Sequence, residues 1–201
     1  MEWTPMEINP EVSNKLGVGD SWRFVDVLGL EGEQLSAVPK PCCALMLLFP
    51  LTQQHESFRA QQADKVDDGS EVYFLKQKAG NSCGTIALLH AVANNKDKMA
   101  FDAGSALKKF LEETANMSPD DRAKHLEQNK VRLADKINFH FIAFINAKGN
   151  LYECDGKMDG PVNHGETTEE SFLADAAKVC RGFTEREKDE VRFSAVALCR
   201  S

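Results

Sequence analysis

The segment CGTIALLHAVA, which runs from Cys83 to Ala93, is apolar on nearly every side of a helical turn. A helix that has no polar face must be buried. Gly80-Asn81-Ser82 precedes the segment as turn punctuation, and Asn94-Asn95 follows it as a polar stop. We therefore predict a buried helix that begins at Cys83.

Strand signals occur on both sides of this helix in the sequence. Several of them are apolar on both faces, which is typical of a central sheet covered by helices on two sides. The predicted architecture is therefore three-layered, with the order α-β-α. The predicted strands are Trp22–Leu28, Cys42–Phe49, Val72–Leu75, Ile137–Ile145, Leu151–Cys154 and Val191–Leu198.

Further helices are predicted from caps and apolar spacing. Thr167-x-x-Glu170 has the pattern of a capping box, and apolar residues follow it at helical spacing from Phe172 to Phe183. Ser118-Pro119 offers a weaker helix start. The stretches Gln53–Val66 and Gly104–Glu113 are also predicted to be helical. Residues 127–135, from Glu127 to Asp135, are predicted to be an exposed, mobile loop.

Length and composition indicate one ordinary globular domain that spans residues 1–201, with no internal repeat or linker. The chain carries 31 acidic and 24 basic side chains, which gives a net charge of -7. Such a charge repels the phosphates of nucleic acid at long range. We therefore predict no nucleic-acid partner and favour a basic partner.

The sequence also predicts a cytoplasmic location with no obligatory membrane association. The longest apolar run, Ala44–Leu51, is far shorter than the roughly 20 residues that span a bilayer. The acidic start of the chain lacks the pattern of a secretory signal. Cys199 is third from the end, whereas a prenylation motif needs a cysteine in fourth place. In a reducing cytosol the six cysteines are expected to remain thiols.

Cys83 is the candidate nucleophile. A cysteine attacks as a thiolate, and a helix N-terminus that faces an imidazole lowers the pKa of a thiol. Cys83 has the first of these features, because it occupies the first position of the predicted buried helix. Taken alone, a cysteine in this place is more often a small buried apolar residue.

His140 and Asp155 supply the base and its orienting carboxylate. A turn signal at 146–150 joins the strand that carries His140 to the strand that ends before Asp155. If this hairpin closes around Ala147 and Lys148, His140 and Asp155 lie opposite or nearly opposite each other. The chain order Cys, His, Asp then matches a nucleophile triad. The alternative is a histidine and an aspartate that merely flank a hairpin.

Gln77 is the candidate oxyanion donor, because its side-chain amide and the backbone N–H of Cys83 could together stabilise a tetrahedral intermediate. Alone, a glutamine in this position is usually solvated surface. His90 is two helical turns beyond Cys83 and is predicted to be a packed core residue rather than the base. No cysteine and histidine spacing fits structural zinc, so we predict no metal.

The run QKAGNSCGTI, Gln77–Ile86, is similar to the active-site signature of the ubiquitin C-terminal hydrolases. NFHF at 138–141 and LYECDG at 151–156 resemble the histidine and aspartate segments of that family. The similarity covers nearly the whole chain and is greatest to the small vertebrate members. It also includes Met6–Pro10, Trp22–Val27, Leu48–Leu51, Pro161–Gly165 and Val191–Cys199.

The resemblance implies an α+β, papain-like fold with a central, mainly antiparallel sheet and a knotted backbone. It implies that Cys83 is the nucleophile, His140 the general base and acid, Asp155 its orienter and Gln77 part of the oxyanion hole. It also implies that region 116–135 crosses over the active site and limits what can pass. This region and the link from Pro10 to Trp22 are shorter than the family pattern. A shorter crossover region would narrow the passage, unless residues are missing from the sequence.

The implied function is thiol-dependent hydrolysis of small or unfolded adducts from the C-terminal glycine of ubiquitin, without a cofactor. The alternative is a ubiquitin-binding and stabilising protein with weak turnover, since the same surface serves both functions. A thiol-redox protein is disfavoured because no Cys-x-x-Cys motif includes Cys83. An acidic cluster is expected either to steer the basic tail of ubiquitin or to be a solvated helix end. Its members are Glu185, Glu187, Asp189 and Glu190.

Overall fold

A computed structural model gives the fold of the chain. It describes residues 22–27, 42–50, 53–62, 72–76, 83–95, 106–129, 139–158, 160–186 and 194–200, together with the single residues 33, 36, 38 and 66. The strands are β1 Trp22–Val27, β2 Cys42–Pro50, β3 Phe139–Ala147, β4 Asn150–Cys154, β5 Val162–Glu166 and β6 Ser194–Arg200. The helices are α1 Gln53–Gln62, α2 Cys83–Ala93, α3 Ala106–Thr114, α4 Pro119–Asn129 and α5 Phe172–Arg186.

The six strands form one sheet in the order β1-β6-β2-β3-β4-β5. Every neighbouring pair is antiparallel. Strand β2 lies inside the sheet between β6 and β3, which explains why its sequence is apolar on both faces. The predicted central antiparallel sheet is therefore confirmed.

The two faces of the sheet carry separate apolar cores. Alternate residues of β2 contribute to each, with Ala44 and Met46 in one cluster and Leu45 and Leu47 in the other. Helices α2, α3 and α4 add side chains to the first cluster, and α5 adds side chains to the second. Helix α1 lies against α5. Helices thus cover both faces of the sheet, and the predicted α-β-α architecture is confirmed.

A two-residue turn joins β3 to β4. Lys148 and Gly149 form it, with φ angles of 50° and 81°, and Ala147 pairs with Asn150 across its base. Two consecutive positive φ angles fit the type I′ turn, whose twist matches that of the flanking strands. The predicted closure around Ala147 and Lys148 is therefore wrong by one residue, because the glycine takes the second turn position.

Several predicted helices begin or end at a different residue in the structure. The capping box of α5 uses Thr168 and Ser171, whose side chains accept each other's backbone N–H at 3.1 Å. Thr167 instead donates its hydroxyl to Asp175, so the predicted cap at Thr167 is wrong by one residue. Helix α4 continues to Asn129. Residues 127–129 are therefore helical rather than part of a loop, and residues 130–135 lie outside the described part of the chain.

One predicted strand is not a strand in the structure, and one strand of the sheet was not predicted. The predicted strand Val72–Leu75 belongs to no strand and has no regular secondary structure. The polar strand β5, VNHGE, was not predicted, because it lacks the apolar alternation that marks a strand. It lies at one edge of the sheet, where a polar strand can face water.

Candidate active site

Cys83 is the first residue of α2, as predicted. The side chains of this helix that the structure describes are buried, among them Ile86, Leu89 and Val92, and the helix packs against β2 and β3. At the end of the helix, the side-chain amide of Asn95 donates a hydrogen bond to the Ala91 carbonyl at 2.7 Å. The side chain of Cys83 and the whole of Gln77 lie outside the described part of the structure.

His140 and Asp155 lie on the adjacent strands β3 and β4 or directly after them. Ala143 pairs with Cys154, so continuing this register by one residue sets position 155 across from Ile142. Position 140 lies two residues further along β3, which is a diagonal relation of roughly 7–8 Å in an antiparallel pair. The extended register therefore places His140 nearly opposite Asp155 rather than directly opposite it. The side chain of His140 is outside the described part.

Asp155 is the predicted site residue whose side chain the structure describes. It is 1% exposed. Its Oδ2 accepts a hydrogen bond from Nε of Arg59 at 3.1 Å, and its Oδ1 accepts one from the backbone N–H of Lys157 at 3.0 Å. The carboxylate is thus buried, paired with a cation and held at both oxygens.

Sequence reasoning did not single out Arg59. A helix was predicted around it, but α1 has the polar sequence QQHESFRAQQ, in which an arginine has no distinguishing pattern. The pairing joins residues 96 positions apart. A local motif cannot reveal such a contact, so only the fold shows it.

His90 is fully buried, which confirms the prediction of a core histidine. Its Nε2 accepts the backbone N–H of Leu75 at 3.1 Å, and its ring stacks on Phe74 at 5.1 Å between centroids. Burial lowers its pKa to about 4, against the opposing effects of the Leu75 hydrogen bond and the negative charge of Asp155. His90 is therefore neutral at physiological pH, and it lies near enough to Asp155 to sense that charge.

Residues 72–76, which we call the clamped segment, directly precede Gln77 in the sequence. Asn94, which directly follows α2, pairs with both backbone groups of Tyr73, at 2.7 and 2.9 Å. Together with the His90 contact to Leu75, this gives Tyr73 and Leu75 side-chain partners, whereas the backbone N–H of Lys76 donates to the Pro119 carbonyl at 3.3 Å. The segment therefore takes its position from the same helix that begins at Cys83.

Arg122 of α4 holds the other side of the clamped segment. It donates to the carbonyls of Phe74, Thr114 and Ala115 at 2.7 to 2.9 Å, and it lies 4.1 Å from the centre of the Tyr73 ring. Burial lowers the pKa of this guanidinium from its usual value. Helix α4 begins region 116–135, so the start of the predicted crossover region is tied to the chain that leads to Gln77.

The other described cysteines and histidines have structural surroundings. The five cysteines with described side chains are buried thiols, and burial raises the pKa of Cys154 and Cys180 above the usual range. A thiol that resists ionisation is a poor nucleophile. Two histidines that lacked a partner in sequence have one in the structure, since His125 pairs with Glu113 and His164 with Glu153.

Within the described ranges, no group of three or more histidine, cysteine, aspartate or glutamate side chains is arranged to hold a metal ion. Among the helices that the structure describes, none is both long and apolar enough to cross a bilayer.

Comparison with known sequences finds relatives that match over the full length of this chain. Residues 3–185 match the family described as ubiquitin carboxyl-terminal hydrolase, family 1. The Homo sapiens ubiquitin carboxyl-terminal hydrolase isozyme L1 is 58% identical over 222 residues, which cover 100% of both chains. The Rattus norvegicus protein of the same name is 57% identical with the same coverage. The alignments are longer than the 201 residues of this chain, so this chain is shorter than these relatives.

Comparison with solved structures supports the fold. The Trichinella spiralis UCH37 catalytic domain bound to ubiquitin vinyl methyl ester matches with a TM-score of 0.73 and 20% sequence identity, covering 100% of this chain and 97% of that chain. A second structure, of Trichinella spiralis UCH37 bound to the same compound, also has a TM-score of 0.73 at 20% identity, covering 99% and 82% of the two chains. The expected papain-like fold is thereby confirmed, and the knotted backbone stays a prediction.

Proposed function

This chain belongs to ubiquitin carboxyl-terminal hydrolase family 1, and we propose on that basis that it is a thiol protease that cleaves adducts from the C-terminal glycine of ubiquitin. Its relatives in human and rat carry that activity in their names. The Trichinella spiralis catalytic domain that shares its fold is bound to a ubiquitin derivative. Ubiquitin is therefore the proposed partner, and the cytoplasm remains the predicted location.

Acylation is assigned to Cys83, His140 and Gln77. The thiol of Cys83 transfers its proton to His140 while the sulfur bonds to the carbonyl carbon of the terminal glycine. The oxyanion that forms accepts hydrogen bonds from the Gln77 amide and the Cys83 backbone N–H. When the intermediate collapses, the bond to the leaving group breaks and His140 returns the proton to that group. A thioester of ubiquitin with Cys83 remains.

Deacylation uses the same groups with water as the nucleophile. His140 takes a proton from water as its oxygen bonds to the thioester carbonyl, and the carbon–sulfur bond then breaks. His140 returns its proton to the sulfur, and ubiquitin leaves with a C-terminal carboxyl group that loses its remaining proton to the solvent. Asp155 takes no proton in this scheme, because its role is to orient the imidazole and to stabilise the imidazolium.

The buried carboxylate of Asp155 is the observation that carries this proposal. An ionised carboxylate is unfavourable in a protein interior unless it is paired and hydrogen-bonded, and Asp155 meets this requirement. It follows β4, which pairs with the strand of His140. His90, seven residues after Cys83 on α2, senses its charge. Helix α2, which begins at Cys83, also packs against β3, which carries His140, and this packing supports the assignment of the triad.

Replacing the nucleophile tests the proposal directly. We expect Cys83→Ala to reduce the release of a fluorophore from a ubiquitin C-terminal amide by at least about 10³-fold, because no other group can form the thioester. Ubiquitin affinity should change little, since the binding surface is retained. Steady-state fluorescence and equilibrium binding measure the two effects.

Cys180→Ala provides the matched control. Cys180 is a buried thiol in α5, so its replacement should leave turnover per folded molecule unchanged. Turnover by Cys83→Ala at the wild-type rate would refute the mechanism. A wild-type chain that binds ubiquitin without releasing the fluorophore would favour the alternative of a ubiquitin-binding and stabilising protein.

A further inference from the structure

We propose that Arg59 is a positioning residue for this reaction, which keeps the Asp155 carboxylate ionised and correctly oriented toward His140. The inference rests on the proposed function and adds a residue from α1, an element that contributes none of the triad. Arg59 acts through Asp155 and contacts neither substrate nor nucleophile in this role.

The geometry of the two contacts fixes the carboxylate in place. The Arg59 Nε–H donates to Oδ2, whereas the backbone N–H of Lys157 donates to Oδ1. Donors on different oxygens restrict both the position of the group and its rotation about the terminal bond. An ionised carboxylate can accept about four hydrogen bonds in total.

Charge determines which proton state the carboxylate adopts. The side chains of Arg59 and Asp155 are only 14% and 2% exposed, so water screens their attraction weakly. The guanidinium is effectively always charged, and it favours the ionised form of its partner. An ionised Asp155 can accept a hydrogen bond from one imidazole N–H. It thus selects the tautomer whose other nitrogen is unprotonated and can act as a base.

Stability alone does not explain why this ion pair is present. A buried ion pair can often be replaced by apolar groups without loss of stability. Here the pair is also incompletely satisfied, because Nη2 of Arg59 is buried and has no hydrogen-bond partner among the described residues. A buried polar atom without a partner requires an explanation. The need for an ionised carboxylate at this place provides one.

The guanidinium has a second, measurable effect. Its positive charge opposes formation of an imidazolium next to Asp155, so its removal should favour the protonated base. The acid limb of the kcat/KM profile should then move to higher pH. Other titratable groups around Asp155 are His90 on α2 and Cys154 on β4, and the Glu153–His164 pair lies nearby on β4 and β5. The Arg59 substitution leaves all of these side chains in place.

Arg59→Met in the full chain tests the role. We expect kcat for the fluorogenic ubiquitin amide to fall about tenfold, as is common when an outer partner of a functional side chain is lost, with little change in KM. The acid limb should shift to higher pH. Arg181→Met removes the same charge from an exposed position on α5, and it should leave kcat and the pH profile unchanged.

A double-mutant cycle separates this role from a merely structural one. If Arg59 acts through Asp155, then Arg59→Met should change kcat less than about twofold in an Asp155→Asn background. The double variant also leaves no uncompensated buried charge, so it remains informative where Arg59→Met alone does not fold. Arg59→Lys keeps the charge and loses the Nε contact, and it should retain the wild-type acid limb with a reduced kcat.

The outcomes distinguish this proposal from the proposed function. An active wild type with an unmoved acid limb and additive effects of the two substitutions would overturn the role of Arg59 and leave the function intact. A wild type that releases no fluorophore would overturn both. A coupled loss of kcat together with the shifted limb would support the role.

Discussion

His90 is a titratable residue that the fold keeps neutral. Its pKa lies near 4 in the folded chain, lowered from 6.5 chiefly by burial. Between these two values the unfolded chain binds more protons than the folded chain does. The stability that neutral His90 provides is therefore complete above about pH 6.5 and is lost as the pH falls toward 4.

We expect the free energy of unfolding to decrease across this window by at most about 3 kcal/mol through His90 alone. His90→Gln keeps an acceptor for the Leu75 N–H but cannot titrate, so it should flatten the pH dependence between 4 and 6.5. Urea unfolding at a series of pH values measures both slopes. Equal slopes in the two proteins would show that His90 is not the group that titrates.

Cys42 and Cys199 form a close pair of thiols on neighbouring strands. They are in register across β2 and β6, and their sulfur atoms are 2.9 Å apart. Register partners in an antiparallel sheet have Cα separations of roughly 4.5–5.5 Å, within the range that a disulfide spans. The pair is therefore placed to form a disulfide with little backbone movement.

We expect hydrogen peroxide to link these two residues, with loss of two hydrogens from the thiols and reduction of the peroxide to water. Mass spectrometry of peptides under non-reducing conditions would identify the bond. Burial should make the reaction slow, since thiolates react and buried thiols ionise poorly. Cys42→Ala should abolish the linked peptide. Recovery of Cys199 linked mainly to another cysteine would contradict the prediction.

The turn between β3 and β4 sets the register that brings His140 near Asp155. Gly149 has a positive φ, and a Cβ added there would meet no atom within 4 Å. Gly149→Ala should therefore lower the free energy of unfolding by about 1 kcal/mol through backbone strain alone. Gly149→Asn should lower the free energy of unfolding by a smaller amount, because asparagine tolerates this conformation. Thermal unfolding of both variants tests the order, which would be reversed if steric contact were the cause.

Elements with a strong local pattern were predictable from sequence. Helix α2 has an apolar surface, and β2 is apolar on both faces, so their burial follows from composition at those positions. The clamped segment was assigned wrongly because its extended, apolar pattern is that of a strand, while its partners are His90, Asn94 and Arg122 on helices. Sequence shows that a segment is extended but not what it pairs with.

In the candidate site, too, features that depend on local sequence were predictable and a long-range contact was not. Cys83 at a helix start and Asp155 after a hairpin strand could be found from motif and spacing, because each depends on local structure. Arg59 could not be found, since its contact with Asp155 depends on how α1 packs after the sheet has formed. The roles of Cys83, His140, Asp155 and Gln77 stay predictions.

The net charge of -7 acts over the whole molecule. If the acidic cluster steers the basic tail of ubiquitin, higher ionic strength should slow association much more than dissociation, because screening acts at long range. Glu185 is exposed at the end of α5, while Glu187 and Asp189 lie outside the described ranges. We expect the double reversal Glu187→Lys and Asp189→Lys to flatten the salt dependence measured by stopped-flow binding.

Glu169→Lys with Glu170→Lys makes the same change in net charge at the other end of α5, where both residues are exposed. This control should keep more of the salt dependence. Equal slopes for the two double variants would mean that overall charge, rather than the cluster, guides ubiquitin.

Strand β6 is inserted between β1 and β2, although it is the last strand of the sheet along the chain. On the ribosome, β1 and β2 emerge early, yet the strand that joins them is still to be translated. Until Ser194–Arg200 leaves the exit tunnel, the edges of β1 and β2 that pair with β6 have no partner strand, and unpaired edges invite aggregation. The sheet can therefore be completed only after its last strand has been synthesised, and we expect chaperones to bind the nascent chain until Ser194–Arg200 has emerged.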